Sequence, residues 1–293
     1  MDDSANIFRQ VRKIEIKTRG LSREIFAGQY HSAFRGRGMS FSEVREYRTG
    51  DDVRDIDWNV TARSSKPHIK IYEEERELTV MLLVDVSASS SFGTTGQTKK
   101  GLQAEIAAVL AFSANQTGDK VGCMMFSDRV EKFIPPKKGR AHILAIVRQL
   151  LEFTPEGRGT SLAEPLRHLS NALPKRSTAF VLSDFLFPAD DEQPLRDALK
   201  IATGKHDVVA VRVDDRREGE MPDVGIAEFL DTETGRKVWI DTSSRAVREG
   251  YAAAHAARVE AITALLKHYK VDTASCRTGE DYVAELVKLF NKR

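Results

Sequence analysis

Five oxygen-bearing side chains could do chemistry together: Asp85, Ser87, Ser89, Thr160 and Asp184. Three of them fall in "LLVDVSASSSFG" (82–93), where an apolar run stops at a carboxylate and hydroxyls follow at alternate positions. Asp184 ends a second apolar run, "FVLSDF", and Thr160 sits between glycine and serine in "EGRGTSL". All five are hard donors. They suit a small hard divalent cation, Mg2+ or a similar ion such as Mn2+, and offer nothing soft for copper or zinc. Mg2+ prefers octahedral geometry at ~2.0–2.1 Å and keeps several waters. Three hydroxyls with two nearby carboxylates satisfy it only in part, which leaves a position open to a carboxylate from outside. Singly, each residue has a plainer role. Asp-x-Ser-x-Ser makes turns after a strand, Thr160 reads as a helix N-cap, and Asp184 starts a turn.

What unites them is the order of the elements. From Glu77 onward apolar strand-like runs alternate with helical patterns. "LTVMLLVDV" is followed by a helix over 99–116, then "DKVGCMMFS", then a short "RVEKFIP" ended by Pro135 and Pro136. Helices over 140–152 and 161–172 precede "STAFVLSDF", and one over 191–203 precedes "HDVVAVRVD". The strands read as continuous apolar runs, the mark of strands covered on both faces. Such alternation implies a doubly wound, mostly parallel, Rossmann-like α/β sheet. Ligands of such sheets sit beyond the carboxyl ends of the strands, where strand order reverses. Asp85 and Asp184 both lie at such ends. After Asp215 the sequence suggests a hairpin at about 226–240, a helix at about 244–269, a strand "VDTASCRT", and a last helix at about 279–291 capped by Thr278.

Residues 1–76 behave differently and read as a separate N-terminal segment, helical then extended, that packs on a main domain of 77–293. Residues 9–37 hold Arg9, Arg12, Lys13, Lys17, Arg19, Arg23, Arg35 and Arg37 against Glu15 and Glu24. This cluster reads first as a solvated helix face; acidic lipid headgroups or an acidic protein face are what it would otherwise touch. "HIKIYEE" alternates as an exposed or edge strand. "DIDWNV" imitates the opening of a calcium loop, but its sixth position is Val60 and its twelfth Lys66, where glycine and glutamate are needed. Trp58 is expected to be a packing anchor that joins the segment to the sheet domain.

Several classes are excluded. The net charge of +2 argues against a nucleic-acid binder that works by bulk charge. Cys123 and Cys276 sit in apolar runs without disulfide or zinc spacing, as buried hydrophobes of a reducing compartment would. No stretch approaches the ~20 apolar residues of a membrane span, so a cytoplasmic protein is expected. A strand-end aspartate nucleophile would need a second carboxylate where Ser87 stands. "GTTGQTKKG" lacks the phosphate-loop order, and no Gly-x-Ser-x-Gly elbow is present. The seven histidines show no ligand spacing and read as surface or edge residues. The expectation is therefore a binding protein and not an enzyme. A Mg2+-dependent hydrolase, or a scaffold with a vestigial metal site, are the alternatives.

Two resemblances bear on this reading. "DVSASS", "GTSL" and "LSDF" resemble the metal-ion-dependent adhesion site of von Willebrand factor A domains, over roughly residues 77–215. That resemblance implies Ser87, Ser89 and Thr160 as direct metal ligands, with Asp85 and Asp184 acting through water or through hydrogen bonds to the hydroxyls. Arg158 departs from the pattern, in a loop that is often only small residues. Secondly, "GRGMSFSEVREYRTGDDVRDIDWNVTARSSKPHIKIYEEERE" resembles the signature of the bacterial domain-of-unknown-function family fifty-eight. It is carried by Gly38, Phe41, Arg45, Tyr47, Gly50, Asp51, Asp52, Arg54, Ile56, Asp57, Trp58, Thr61, Ala62, Arg63, Tyr72 and Glu73. Members place this segment ahead of a von Willebrand A-like domain, and their genes usually neighbour those of MoxR-type AAA+ ATPases. The resemblance thus implies an accessory partner of such an ATPase in a chaperone-like or metal-insertion assembly. Many members also carry transmembrane helices near the N-terminus, which this sequence does not show.

Overall fold

The computed structural model describes residues 2–21, 39–64, 66–74, 78–94, 96–157, 159–230 and 236–293. Two compact units form. One combines Met1–Phe34 with Thr79–Arg293, the other is Arg35–Leu78. The helix α1 (Asp2–Leu21) therefore groups with the sheet unit, whereas the expected N-terminal segment ran unbroken to residue 76.

The smaller unit is an antiparallel ribbon of β1 (Met39–Glu46) and β2 (His68–Glu74), with a bulge between Phe41 and Glu43. Between them lies one helical turn, α2 (Trp58–Thr61). Asp57 caps it, accepting from the backbone N–H groups of Asn59 and Val60. This is the local role of the acidic "DIDWNV" run. Arg45 grips Asp51 through two bonds of 2.8 Å, and Asp51 also accepts from Arg48 N–H at 2.7 Å. The Arg45 guanidinium holds the Asp51 carboxyl below its ordinary range. Trp58 is 67% exposed.

The larger unit runs β3 (Thr79–Asp85), α3 (Lys99–Gln116), β4 (Lys120–Phe126), β5 (Val130–Lys137), α4 (Arg140–Glu152), α5 (Ala163–Ala172), β6 (Thr178–Ser183), α6 (Glu192–Lys205) and β7 (Asp207–Asp214). A single turn α7 (Arg216–Gly219), the hairpin β8 (Ile226–Leu230) and β9 (Lys237–Asp241), α8 (Arg245–His268), β10 (Asp272–Arg277) and α9 (Tyr282–Asn291) follow. The main sheet has the order β10-β7-β6-β3-β4-β5. Every neighbouring pair in it is parallel except β4 with β5. The fold is the expected α/β, von Willebrand A-like arrangement.

The apolar runs are continuous for the expected reason: all of β6, and β3 beyond Thr79, is buried. The helix α3 is buried nearly all round, from Leu102 to Ala114. A helix of that kind needs cover on both sides. The sheet supplies one side and α1 contributes to the other, where Ile14 and Thr18 are buried. Lys17 pairs there with Glu105 at 2.5 Å, and Arg140 of α4 with Glu15. Part of the basic cluster is thus spent on packing α1; Arg23, Arg35 and Arg37 lie outside the described residues.

Three expectations need correction. The strand β5 does not stop at the prolines but runs through Pro135 and Pro136 to Lys137. It is an edge strand, where a missing N–H costs nothing if it faces outward. Thr278 does not cap the last helix; Asp281 does, through Val283 N–H at 2.9 Å, and Thr278 turns its hydroxyl elsewhere. His206 is no surface residue but is buried, with its Nδ1 2.9 Å from the Ser177 hydroxyl. Cys123 and Cys276 are buried free thiols, as expected. Among the described residues no helix is long and apolar enough to cross a membrane.

Candidate functional site

β3 and β6 are neighbours, and the chain leaves them in opposite directions: β3 leads to β4 on one side, β6 to β7 on the other. Strand order reverses between them, which opens a crevice at their carboxyl ends. Val84 pairs with Leu182 in register, so both strands deliver their terminal aspartates to this crevice.

Asp85 is 1% exposed and both its oxygens are engaged. Oδ1 accepts from Ser87 N–H at 2.9 Å and Oδ2 from the Ser183 hydroxyl at 2.6 Å. The first bond turns the chain into a short 3-10 stretch, Ala88–Ser91, which presents the serines. The Ser87 and Ser89 hydroxyl oxygens stand 3.2 Å apart, and Ser89 donates to Asp184 Oδ2 at 2.8 Å. Asp184 Oδ1 accepts from Leu186 N–H at 2.9 Å. Between them Phe185 adopts φ 58°, a conformation uncommon for a bulky side chain, and its N–H is held by Ser183 Oγ at 3.0 Å. Asp85, Ser87, Ser89 and Asp184 are therefore brought together, with Ser183 as a link that sequence reasoning missed.

Thr160 is buried on the loop between α4 and α5. Ser161 N–H fastens that loop to the Ser127 carbonyl, just beyond the end of β4, at 2.9 Å. Glu131 tightens it by accepting from the Ser127 hydroxyl at 2.6 Å and from Gly157 N–H at 2.7 Å. Burial raises the Glu131 pKa, but those hydrogen bonds outweigh it and hold the group below its ordinary value. A Cβ at Gly157 would stand 2.2 Å from Ser127 Oγ, so a larger residue there must push the Ser127 side chain aside. Arg158 lies outside the described residues.

The second residue that sequence reasoning missed is Lys99, the first of α3. It is 1% exposed. Its ammonium donates to Asp184 Oδ2 at 2.6 Å and to Glu218 Oε1. Burial would lower its pKa, but the charges of Asp184 and Glu218 hold it above the ordinary value. Glu218 belongs to α7, where it also accepts from Asp215 N–H at 3.0 Å. Asp215 in turn takes the Thr94 hydroxyl at 2.7 Å and the Thr278 hydroxyl at 2.5 Å. The network thus runs from the crevice to the end of β7.

Its electrostatics are unbalanced. Asp85, Asp184 and Glu218 carry three carboxylates against one ammonium. Burial, and then the adjacent Asp184 charge, push Asp85 up to about 6. Burial likewise raises Glu218, against the pull of Lys99. A further cation is welcome here. The donor geometry agrees: adjacent ligands of an octahedral ion with bonds of ~2.0–2.1 Å stand about 2.9–3.0 Å apart, close to the serine spacing. Ser89 donates its proton to Asp184, which leaves lone pairs of its oxygen for a cation. No cluster of three or more His, Cys, Asp or Glu arranged to hold a metal occurs among the described residues; the donors here are mainly hydroxyls.

Comparison with known proteins agrees with this architecture. The family model described as "Protein of unknown function DUF58" matches residues 43–261. Uncharacterized proteins of Mycobacterium tuberculosis (strain H37Rv) and Mycobacterium bovis are 31% identical over 295 residues, spanning 99% of this chain and 91% of theirs. Among solved structures, the conserved hypothetical protein BatB from Bacteroides thetaiotaomicron aligns with a TM-score of 0.50 at 15% identity, over 73% of this chain and 98% of that one. The SpRpn10 VWA domain aligns with a TM-score of 0.42 at 12% identity, over 74% of this chain and 95% of that one.

Proposed function

We propose, for a chain that belongs to the DUF58 family of proteins of unknown function, a non-enzymatic protein-docking module that holds a partner's carboxylate through a divalent cation. A protein-interaction role is what the von Willebrand A-like fold and the family suggest; the metal, the partner and the cytoplasmic setting are the finer parts of the proposal. The observation that carries it is the chain of bonds Asp85–Ser183 and Ser87–Ser89–Asp184 at the switch point, with one ammonium among three carboxylates.

Ser87, Ser89 and Thr160 would hold Mg2+ or Mn2+ directly, while Asp85 and Asp184 orient the hydroxyls and supply charge from behind. When bound, the ion supplies Lewis acidity toward an incoming oxygen anion. Neutral hydroxyls leave more of the ion's charge unspent than carboxylate ligands would, so the affinity for an external carboxylate is higher. The family resemblance points to a MoxR-type AAA+ ATPase or its client as the bearer of that carboxylate.

Co-precipitation of the full chain with a MoxR-type ATPase from the same genome tests this. Retention in Mg2+, with loss in EDTA and in Asp85→Ala, is expected; retention in all three conditions refutes the metal-dependent mode. A scaffold that binds without metal is the second reading. It is favoured by one observation, that Lys99 already neutralises Asp184.

A further inference from the structure

We infer that the partner segment whose carboxylate meets this site also places a bulky apolar side chain in the cleft beside it, and that its flanking residues are acidic. This rests on the docking function proposed above and specifies its partner. A cleft of about 710 Å³ opens next to the site, and Ser89 and Glu218 belong to its wall. The walls are otherwise largely apolar and include Phe92, Phe187, Met221 and Tyr251. Phe92 is 39% and Tyr251 38% exposed. A second cleft of about 740 Å³ shares Leu186, Phe187 and Arg258 with the first and continues along α8 past Ile262 and Leu265. Of the 24 residues of α8 only Ile262, Leu265 and Leu266 are buried. Ala261 and Ala264 of that helix also line the second cleft.

Charge selects the occupant. Arg217 and Arg258 both line the first cleft, and neither forms an ion pair among the described residues. Arginines at the rim of an apolar groove favour an acidic ligand, with affinity from the apolar anchor and steering from the rim. A basic peptide would meet the wrong charge at Arg217 and Arg258. An extended segment rises ~3.3 Å per residue, so a carboxylate on the site and an anchor in the cleft fall within a few residues of one another.

The test is selection of a random twelve-residue peptide library on the immobilised full chain in Mg2+. The selection is repeated in EDTA and on Arg258→Glu, Tyr251→Glu and Asp85→Ala, with folding of each variant checked by thermal melting. The expected outcome is a motif with an acidic residue and a Leu, Ile, Phe or Met within four positions. Its representatives bind at least tenfold more weakly to Arg258→Glu and to Tyr251→Glu, and are released by EDTA. Mg2+-dependent acidic peptides without an apolar preference, or an unchanged affinity in both cleft variants, overturn the cleft inference and leave the docking site standing. Apolar peptides that bind equally in EDTA and to Asp85→Ala, yet are lost in the cleft variants, overturn the metal-dependent mode instead. An empty selection overturns the inference as well.

Discussion

Lys99→Met is the most informative perturbation. The Lys99 ammonium is 1% exposed, 2.6 Å from Asp184 Oδ2 and bonded to Glu218. Methionine keeps the apolar stem and removes the charge, stranding two carboxylates in a buried site. Breaking a buried pair in this way costs about 3–5 kcal/mol. For a domain of this size a kcal/mol is worth about 2–4 °C in Tm, so the metal-free variant should melt about 6–20 °C below wild type. Mg2+ should then restore much of the loss. The ammonium and the Ser89 hydroxyl share one oxygen of Asp184, so a cation on Ser89 is a close neighbour of Lys99 and is repelled by it. Without Lys99 the ion meets more negative charge and no repulsion. The Mg2+ concentration at which Tm begins to rise should fall at least tenfold in Lys99→Met. At a concentration a hundredfold above Kd the gain is about 2.7 kcal/mol. The assay is thermal unfolding of the full chain, wild type and variant, over a Mg2+ series with EDTA as baseline. A variant that folds only in Mg2+ meets the expectation in its strongest form. An equal onset of the Tm rise with Mg2+ in the two proteins would refute the competition between Lys99 and the metal, and a destabilised variant that Mg2+ does not help would refute the surplus of negative charge.

Other outcomes follow from the same geometry. Ser183→Ala leaves Asp85 Oδ2 and Phe185 N–H without the partner they share, which should cost about 1–3 kcal/mol by urea unfolding. Gly157→Ala sets a Cβ 2.2 Å from Ser127 Oγ, the hydroxyl bonded to Glu131, and so weakens the anchor of the loop that carries Thr160. A loss of about 1–3 kcal/mol is expected, together with a weaker Mg2+ response in thermal melts. The pH dependence has a definite sign. The Asp85 pKa is raised, so its contribution to metal-free stability is complete below the unfolded value of ~3.9 and is lost as pH rises through about 6. Cation binding needs the ionised form, so the Mg2+-induced rise in Tm should be small at pH 5 and grow through pH 6 toward 7.5.

The sequence carried the fold well where burial on both faces leaves a long apolar run. β3, β6 and β7 were legible for that reason, and with them the strand-end positions of Asp85 and Asp184. β5 was cut short because proline is a stop signal in a central strand, while at an edge it is tolerated. The cap of α9 was placed three residues early because Thr278 and Asp281 are both good caps, and only the tertiary structure commits Thr278 to Asp215. Lys99 was invisible. It opens a tandem lysine pair in "TKKG", which reads as a solvated helix start, and its burial follows from carboxylates 85 and 119 positions away in sequence. Ser183 sat in the quoted "LSDF" but drew no notice, because inward hydroxyls in a strand have no periodic signature. A helix at the start of the chain was legible, but not its place over α3.

The central claim is that hydroxyls at the switch point hold a divalent cation. Calorimetric titration of Mg2+ into the EDTA-stripped full chain, and into Ser87→Ala/Ser89→Ala, measures this most directly. One binding site in the wild type, absent from the folded double variant, is the result the account requires. Heats that are indistinguishable between the two proteins, or no binding to the wild type up to tens of millimolar, would contradict it.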